Sequence, residues 1–437
     1  MARRLRKKRI AIILLTFTAI IVWSTHSCVS RCTSSSDKEK VKDTLPKAHI
    51  NDSISNALTE GKEYQKMDSL VERYLKRWEI NGAQLVITHN DSLLYARGFG
   101  WADKERGIRM EPNMLMRFAS VSKLITAVGI MKLQEMKKLR MNEKVFGPKG
   151  ILNDTTYNNG IKDQRYYNIT VEQLLRHQAG FNNYAGDPVS STRYIMMQNR
   201  LTTPPDHKTL LKILLKRHLG YTPGEGKCYS NLGYIILSMI IEKKSGMKYE
   251  NFMKKYVLQP AGCYDMHIAG TYYKDRRPNE TKYYMHQGSI PVYEYNNSGR
   301  MVEKCYGDTD LPRLSGAGAW CGSAAELSRL IASIDGLPHV KDILSQKSIQ
   351  FMTTEQPDHQ YSIGWNYTPK SNGPWIRTGS LAGTSAIVLK YPDGQCWILI
   401  TNTSTWKGHG FSNDTVAFFE KLRKQFMADM PKKDLFI

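Results

Sequence analysis

A hydroxyl and an amine stand one helical turn apart at Ser120 and Lys123 in the segment FASVSKLITAVGIMKLQEM. Serine is a poor nucleophile at neutral pH, so a serine enzyme places a base within hydrogen-bond reach of it. A lysine at i+3 can be that base. Leu124, Val128 and Met131 recur at i, i+4 and i+7, which predicts a helix that holds Ser120 and Lys123 near one another on its surface. Ser120 then opens the helix, where free backbone N–H groups and the positive dipole end can hold an oxyanion. The spacing alone is weak, because Ser-x-x-Lys recurs at Ser35/Lys38, Ser245/Lys248 and Ser404/Lys407. Ser35 lies in a polar stretch, Ser245 precedes a glycine at a predicted helix end, and Ser404 lies among Thr, Ser and Gly. Only Ser120 opens a long apolar-periodic segment.

Two further segments carry candidate chemistry. In TPGEGKCYSNLGYIILSMIIEKKSG, Tyr229, Ser230 and Asn231 follow a Pro-Gly turn and precede an apolar helix ending at Lys243, Lys244 and Gly246. In WIRTGSLAGTSAIVLKYPDGQCWILITN, Arg377, Thr378 and Gly379 precede a hairpin of two apolar strands joined at Pro392-Asp393-Gly394. Tyr-x-Asn also occurs at Tyr157, Tyr166, Tyr249 and Tyr295, so here too the setting is more informative than the tripeptide.

With SVSK at 120–123, YSN at 229–231 and RTG at 377–379 in this order, the chain resembles the penicillin-recognising serine hydrolases. The likeness is to the class C β-lactamase, D-alanyl carboxypeptidase and related esterase group. It extends to ITVEQLLRHQAGFNNY from Ile169, to SGAGAWCGSAAELSRLIASI from Ser315, and to YSIGW at 361–365, which looks like the strand before the third motif. It covers residues 61–427. The resemblance implies an α/β (α+β) fold, an antiparallel sheet flanked by helices with an inserted, mainly helical subdomain. It implies Ser120 as nucleophile, Lys123 and Tyr229 sharing the proton work, and an oxyanion hole from the backbone N–H groups of Ser120 and Ser380. Asn231 would orient the substrate, and Arg377, Thr378 and Gly379 would line its binding site. The family usually carries lysine or histidine where Arg377 stands. Arginine offers a planar, permanently charged fork that can pair with a substrate carboxylate, so D-alanyl peptide or related amide and ester hydrolysis ranks above β-lactam turnover. A binding or scaffold protein that keeps the fold without turnover is the alternative class. No metal or cofactor is implied.

The elements that must position these residues are visible as patterns. Met67, Leu70, Val71, Tyr74, Leu75 and Trp78 mark an amphipathic helix. Strands follow at 83–89 and 93–98 around the turn Asn90-Asp91-Ser92. Strands at 385–391 and 396–402 precede a helix bearing Val416, Phe419, Leu422 and Phe426. Strands from both chain ends can thus form one sheet within a domain spanning 61–430. The helical subdomain spans roughly 140–300, with capping-box patterns at Thr170/Gln173 and, beyond it, at Ser323/Glu326.

The N-terminus sets the expected compartment. MARRLRKKR holds six basic residues directly before the apolar run Ile10–Trp23, which fits a signal or anchor over residues 1–28 and an exported, membrane-associated, periplasmic or extracytoplasmic domain. Cleavage, retention and lipidation at Cys28 all stay open. Residues 29–60, rich in Ser, Asp and Lys, read as a tether. Five cysteines remain in the body, an odd number without a CxxC framework, which predicts core thiols with at most one or two disulfides. The net charge of +22 would first point to nucleic acid, but export and the dispersed lysines favour a solvated basic surface near anionic envelope polymers. Expected partners are a small peptide, ester or β-lactam substrate, with no nucleic acid. Neither HExxH nor GxSxG occurs, the Gly98/Gly100 and Gly316/Gly318 pairs lack a third dinucleotide-type glycine, and His177 reads as a turn-closing residue rather than a base.

Overall fold

The computed structural model describes residues 49–183, 187–354, 362–369, 373–406 and 409–436, with His409 by its backbone alone. The expected signal or anchor, Cys28, Cys32, the tether up to residue 48 and Tyr361 lie outside the described residues. Among the described residues no helix is long and apolar enough to cross a membrane.

The amphipathic pattern after residue 61 forms helix α1 (Gln65–Arg77), and the alternating runs after it form β1 (Gly82–His89) and β2 (Ser92–Asp103). Short strands β3 (Ile108–Arg109) and β4 (Met116–Arg117) lead to α2 (Ser122–Glu135). The chain between α2 and β5 (His267–Ile268) is mostly helical and includes α3 (Asn231–Ser245). Strand β6 (Trp320–Gly322) precedes α4 (Ala324–Ala332). The chain closes with β7 (Trp375–Leu381), β8 (Thr384–Lys390), β9 (Gln395–Thr401) and α5 (His409–Phe426).

The main sheet has six strands in the order β3-β2-β1-β9-β8-β7, all antiparallel neighbours. Its centre joins the two ends of the domain, Leu85 facing Leu399 across the β1–β9 pair. Period-two alternation then sorts the side chains into two cores. Leu85, Ile87, Ile387, Leu389, Trp397 and Leu399 meet α1 and α5 through Val71, Trp78, Phe419 and Leu422. Val86, Ala386, Val388, Ile398 and Ile400 meet the layer that contains α2, α3 and α4. The two capping boxes form as predicted, at Thr170/Gln173 and Ser323/Glu326.

Two expectations change. Residues 49–60, read as part of a tether, pack onto the domain. Asn56 Nδ2 donates to Met110 O at 2.8 Å, Gly98 N donates to Asn56 Oδ1 at 2.7 Å, and Ile54 is buried. These contacts are mostly polar side chain to backbone, which composition does not reveal. The RTG segment, read as preceding a hairpin, lies inside its own edge strand β7, paired with β8 through Arg377↔Val388 and Gly379↔Ala386.

The β1–β2 turn has a buried consequence. Asn90 and Asp91 take φ of +46° and +66°, as a two-residue hairpin of type I′ requires. Asp91 is buried beside Asp335, whose carboxylate pairs with Lys390 Nζ at 2.6 Å. Burial and the Asp335 charge push the Asp91 carboxyl up to about 6, against the pull of Lys390 and the Val340 N–H. A carboxyl raised in the folded state stabilises when protonated, and that contribution is lost as pH rises through its folded value. Asp91→Asn removes the ionisation but keeps an acceptor for Val340. Its thermal midpoint should exceed that of the parent by a few degrees at about pH 8 and match it at about pH 4; a gain of equal size at both would show that Asp91 is not the titrating group.

Candidate active site

Strand β4 pairs with β6, Phe118 N donates to Trp320 O at 2.8 Å, and the chain then turns sharply. Ala119 takes φ of +49°, a region that costs an L-residue roughly 1–2 kcal/mol. Ser120 follows inside the 3₁₀ turn Ala119–Val121, so α2 begins at Ser122 and not at Ser120 itself. Helix α2 is not a surface helix: Leu124, Ile125, Val128 and Met131 are buried on all sides of it. Lys123 is 0% exposed.

A buried ammonium needs acceptors, and three chain segments supply them. Lys123 Nζ lies 2.6 Å from Asn231 Oδ1, 2.6 Å from Ala317 O and 3.2 Å from Ser120 Oγ. Burial holds the Lys123 amine below its ordinary range, with the Arg377 charge acting the same way and Tyr229 opposing it. Burial alone would raise the Tyr229 phenol, but the charges of Lys123 and Arg377, with contacts to Lys123 and Ser120, bring it down to about 8. Arg377 Nε donates to Ser120 O at 2.9 Å, Nη2 donates to the same carbonyl, and Nη2 lies 3.4 Å from the Tyr229 hydroxyl.

Tyr229 and Asn231 flank Ser230, which caps α3 by accepting from Gly233 N at 3.2 Å. His177 takes φ of +57° and accepts from Ser230 N through Nδ1 at 3.1 Å; its ring centre is 4.5 Å from that of Tyr229. Burial, then the charges of Lys123 and Arg377, hold its imidazole well below the usual range, so it is neutral and serves as the turn-closing residue expected from sequence. Asn183 Nδ2 donates to Tyr229 O at 2.6 Å, and Asp187 Oδ2 accepts from Asn231 N at 3.1 Å. Sequence reasoning missed Asn183, Asp187 and the Ala317 carbonyl. Asp187-Pro188 was a readable helix-start signal; a backbone carbonyl leaves no mark in residue type.

The strand β7 sorts the third motif by parity. Arg377 and Gly379 face inward and are buried, whereas Thr378 is half-buried and Ser380 exposed. Ile376 N donates to Tyr367 O at 2.9 Å and Thr378 N to Asn366 Oδ1 at 2.8 Å, both directed away from β8. The two-residue repeat aims the Ser380 N–H the same way, off the sheet edge. The segment before this strand is not the strand expected at 361–365. Residues 363–366 bend instead, because Gly364 takes φ of +81° against α2, where a Cβ would meet Leu124 Cδ1 at 2.9 Å.

All five body cysteines are free thiols, four of them buried. His267, Glu280 and Cys321 bring ligand-type atoms within 4.8 Å of one another behind β4. The Glu280 carboxylate there already accepts from Tyr283 OH at 2.9 Å and Arg277 N at 3.2 Å, which makes the group a polar brace for the β4-β6-β5 sheet.

Gly379 is where β7 meets the Ser120 turn. A Cβ there would lie 2.4 Å from Phe118 O and 2.8 Å from Ser120 N. Gly379→Ala must therefore displace the Ser120 turn, and misplacement by about 1 Å costs on the order of a hundredfold in rate. Gly246, the left-handed cap of α3 at φ of +73° with nothing within 4 Å, is the control. Gly246→Ala should lose roughly 1 kcal/mol of stability and keep its kcat/KM, whereas Gly379→Ala should lose kcat/KM by about a hundredfold; equal activity of the two variants would contradict the proposed contact.

Residues 67–419 match the sequence model of the family described as Beta-lactamase. Penicillin-binding protein 4* of Bacillus subtilis (strain 168) is 25% identical over 342 residues, 75% of this chain and 69% of that protein. The D-amino acid amidase of Ochrobactrum anthropi SV3 shares the fold at a TM-score of 0.63 and 17% identity, covering 84% of this chain and 99% of its own. The D-alanine carboxypeptidase AmpC of Burkholderia cenocepacia does so at 0.59 and 17%, covering 78% and 94%. A family match that runs from α1 into α5 takes in the whole sheet and its flanking layers, and this chain belongs to the beta-lactamase family of serine hydrolases.

Proposed function

We propose that this chain is an exported hydrolase that forms an acyl-enzyme at Ser120 and acts on D-alanyl peptides or a related cell-envelope amide or ester. The observation that carries the reading is the surroundings of Lys123. In its neutral form the amine has two hydrogens, which Asn231 Oδ1 and Ala317 O accept at 2.6 Å each. That leaves its lone pair for Ser120 Oγ at 3.2 Å, the arrangement a general base requires. Lys123 and Tyr229 titrate as a pair, because the low value of the phenol depends on the charge of the amine.

Ser120 Oγ attacks the substrate carbonyl carbon and gives its proton to the Lys123/Tyr229 pair. The carbonyl electrons move onto oxygen, held by the N–H groups of Ser120 and Ser380. Collapse of the adduct expels the amine or alcohol, which takes the proton back from the pair. Water then attacks the ester by the same route and frees Ser120. The D-configured substrates in the names of the amidase and carboxypeptidase neighbours, and the penicillin of the relative, support the choice of acyl donor.

Ser120→Ala should abolish a covalent adduct with fluorescent penicillin and all turnover of D-alanyl peptides and esters, while Ser245→Ala keeps both. An adduct that persists in Ser120→Ala would place the nucleophile elsewhere. The base works only after losing its proton, so kcat/KM should rise with pH through a midpoint near the value of about 8 that marks Tyr229. A profile flat from about pH 6 to pH 10 would mean that neither group of the pair is the base. Export rests on MARRLRKKR and the apolar run after it. Cell fractionation should find the domain outside the cytoplasmic membrane, accessible to added protease once outer layers are opened; full protection there would sink the compartment assignment.

A further inference from the structure

Arg377 is the residue whose surroundings the proposed mechanism leaves least explained. A cation in a hydrolase site invites the reading of a carboxylate receptor, but a receptor must present its donors to solvent. The Arg377 residue is 1% exposed. Its Nε and Nη2 both donate to the Ser120 carbonyl, and Nη2 also reaches the Tyr229 hydroxyl at 3.4 Å. The strand explains this commitment. Arg377 shares the inward parity of Gly379, which touches the Ser120 turn, whereas the outward positions are the hydroxyl residues Thr378 and Ser380. The face of β7 that an arriving substrate meets is therefore neutral.

The Ser120 carbonyl gains from such a clamp. It belongs to a 3₁₀ turn entered through the positive φ of Ala119, a conformation that persists only where neighbours over-determine it. Two N–H donors from one planar guanidinium fix that carbonyl in direction as well as distance, which a lysine ammonium cannot do. Fixing the carbonyl fixes the peptide plane that leads into Val121, and with it the aim of Ser120.

Resting on the acyl-enzyme reading above, we propose that Arg377 is an internal positioning residue, clamping the Ser120 carbonyl and facing the Tyr229 hydroxyl, and that it does not read a substrate carboxylate. Amides and esters without a carboxylate beside the scissile bond are then substrates on the same footing as peptides that end in one, as far as Arg377 is concerned.

The test pairs one D-alanyl acyl donor as its C-terminal free acid and as its C-terminal amide, with the parent chain, Arg377→Lys and Arg377→Ala. Arg377→Ala should lower kcat/KM on both by the same factor, about ten- to a thousandfold, and Arg377→Lys should recover part of it on both. The midpoint of the pH–kcat/KM profile should move up in Arg377→Ala, since the loss of a neighbouring cation weakens the pull on Tyr229. A loss confined to the free acid by about tenfold or more, or an unmoved midpoint, would overturn the assignment. Titration of the phenol by ultraviolet difference absorbance, with Tyr229→Phe as the blank, reads Arg377 without turnover. A parent chain that hydrolyses neither donor and forms no adduct would refute the acyl-enzyme reading, while the phenol titration still decides the place of Arg377. If Arg377→Ala does not fold, Arg377→Lys carries both measurements: an equal loss on both donors supports the clamp and a selective loss overturns it.

Discussion

The burial of one amine organises this molecule. Lys123 is withdrawn from water, and a group that can carry charge is tolerated there only if its hydrogens find acceptors. Those acceptors come from the turn before α2, the first residue of α3 and the turn before β6. Three segments spread over about two hundred residues of chain therefore meet at one nitrogen. The same desolvation keeps the amine from its ordinary basicity, so the requirement that assembles the site also eases the loss of its proton.

Around that nitrogen the backbone is set with little slack. Ala119 and His177 both take positive φ, and Gly379 leaves no room for a side chain against the Ser120 turn. Each of these deviations is held by something specific: the Arg377 clamp on Ser120, the Ser230 N–H on His177 Nδ1, and the Ala386 pairing on Gly379. Local strain of this kind is expected where surrounding structure fixes a functional geometry. The sheet supplies that rigidity, since two packed cores on its two faces leave β8 and β9 buried throughout.

The sequence carried the strong periodicities well. α1, β1, β2, β8, β9 and α5 were legible because their apolar residues repeat with the period of one packed face or of two alternating ones. The three motifs were legible as residue types in order. What remained hidden was relational. Helix α2 reads as one-sided from Leu124, Val128 and Met131, yet Ile125, Ala127 and Ile130 are equally buried, because α2 runs through the middle of its layer. Arg377 reads as a receptor for a substrate, and only the parity of β7 shows which way it turns. The strand expected at 361–365 rested on the resemblance alone, and the close approach of Gly364 to α2 bends the chain there instead. Asn183, Asp187 and Ala317 act through a single amide, a single carboxylate oxygen and a backbone carbonyl, none of which makes a pattern.

The strand order has a consequence for how the chain comes to be folded. β1 lies at the centre of the sheet, and its second neighbour is β9, more than three hundred residues later. A ribosome delivers β1 and β2 first, and one edge of β1 then waits unpaired until almost the whole domain has been made. Closing so long a loop is slow, and an open strand edge is a template for wrong partners in the interval. The Ser120 turn, packed against β7 at the far side of that same sheet, can become rigid only after this last pairing. Partly made chains thus carry Ser120 and Lys123 without a site, and chemical competence arrives as a late, all-at-once property of the completed sheet.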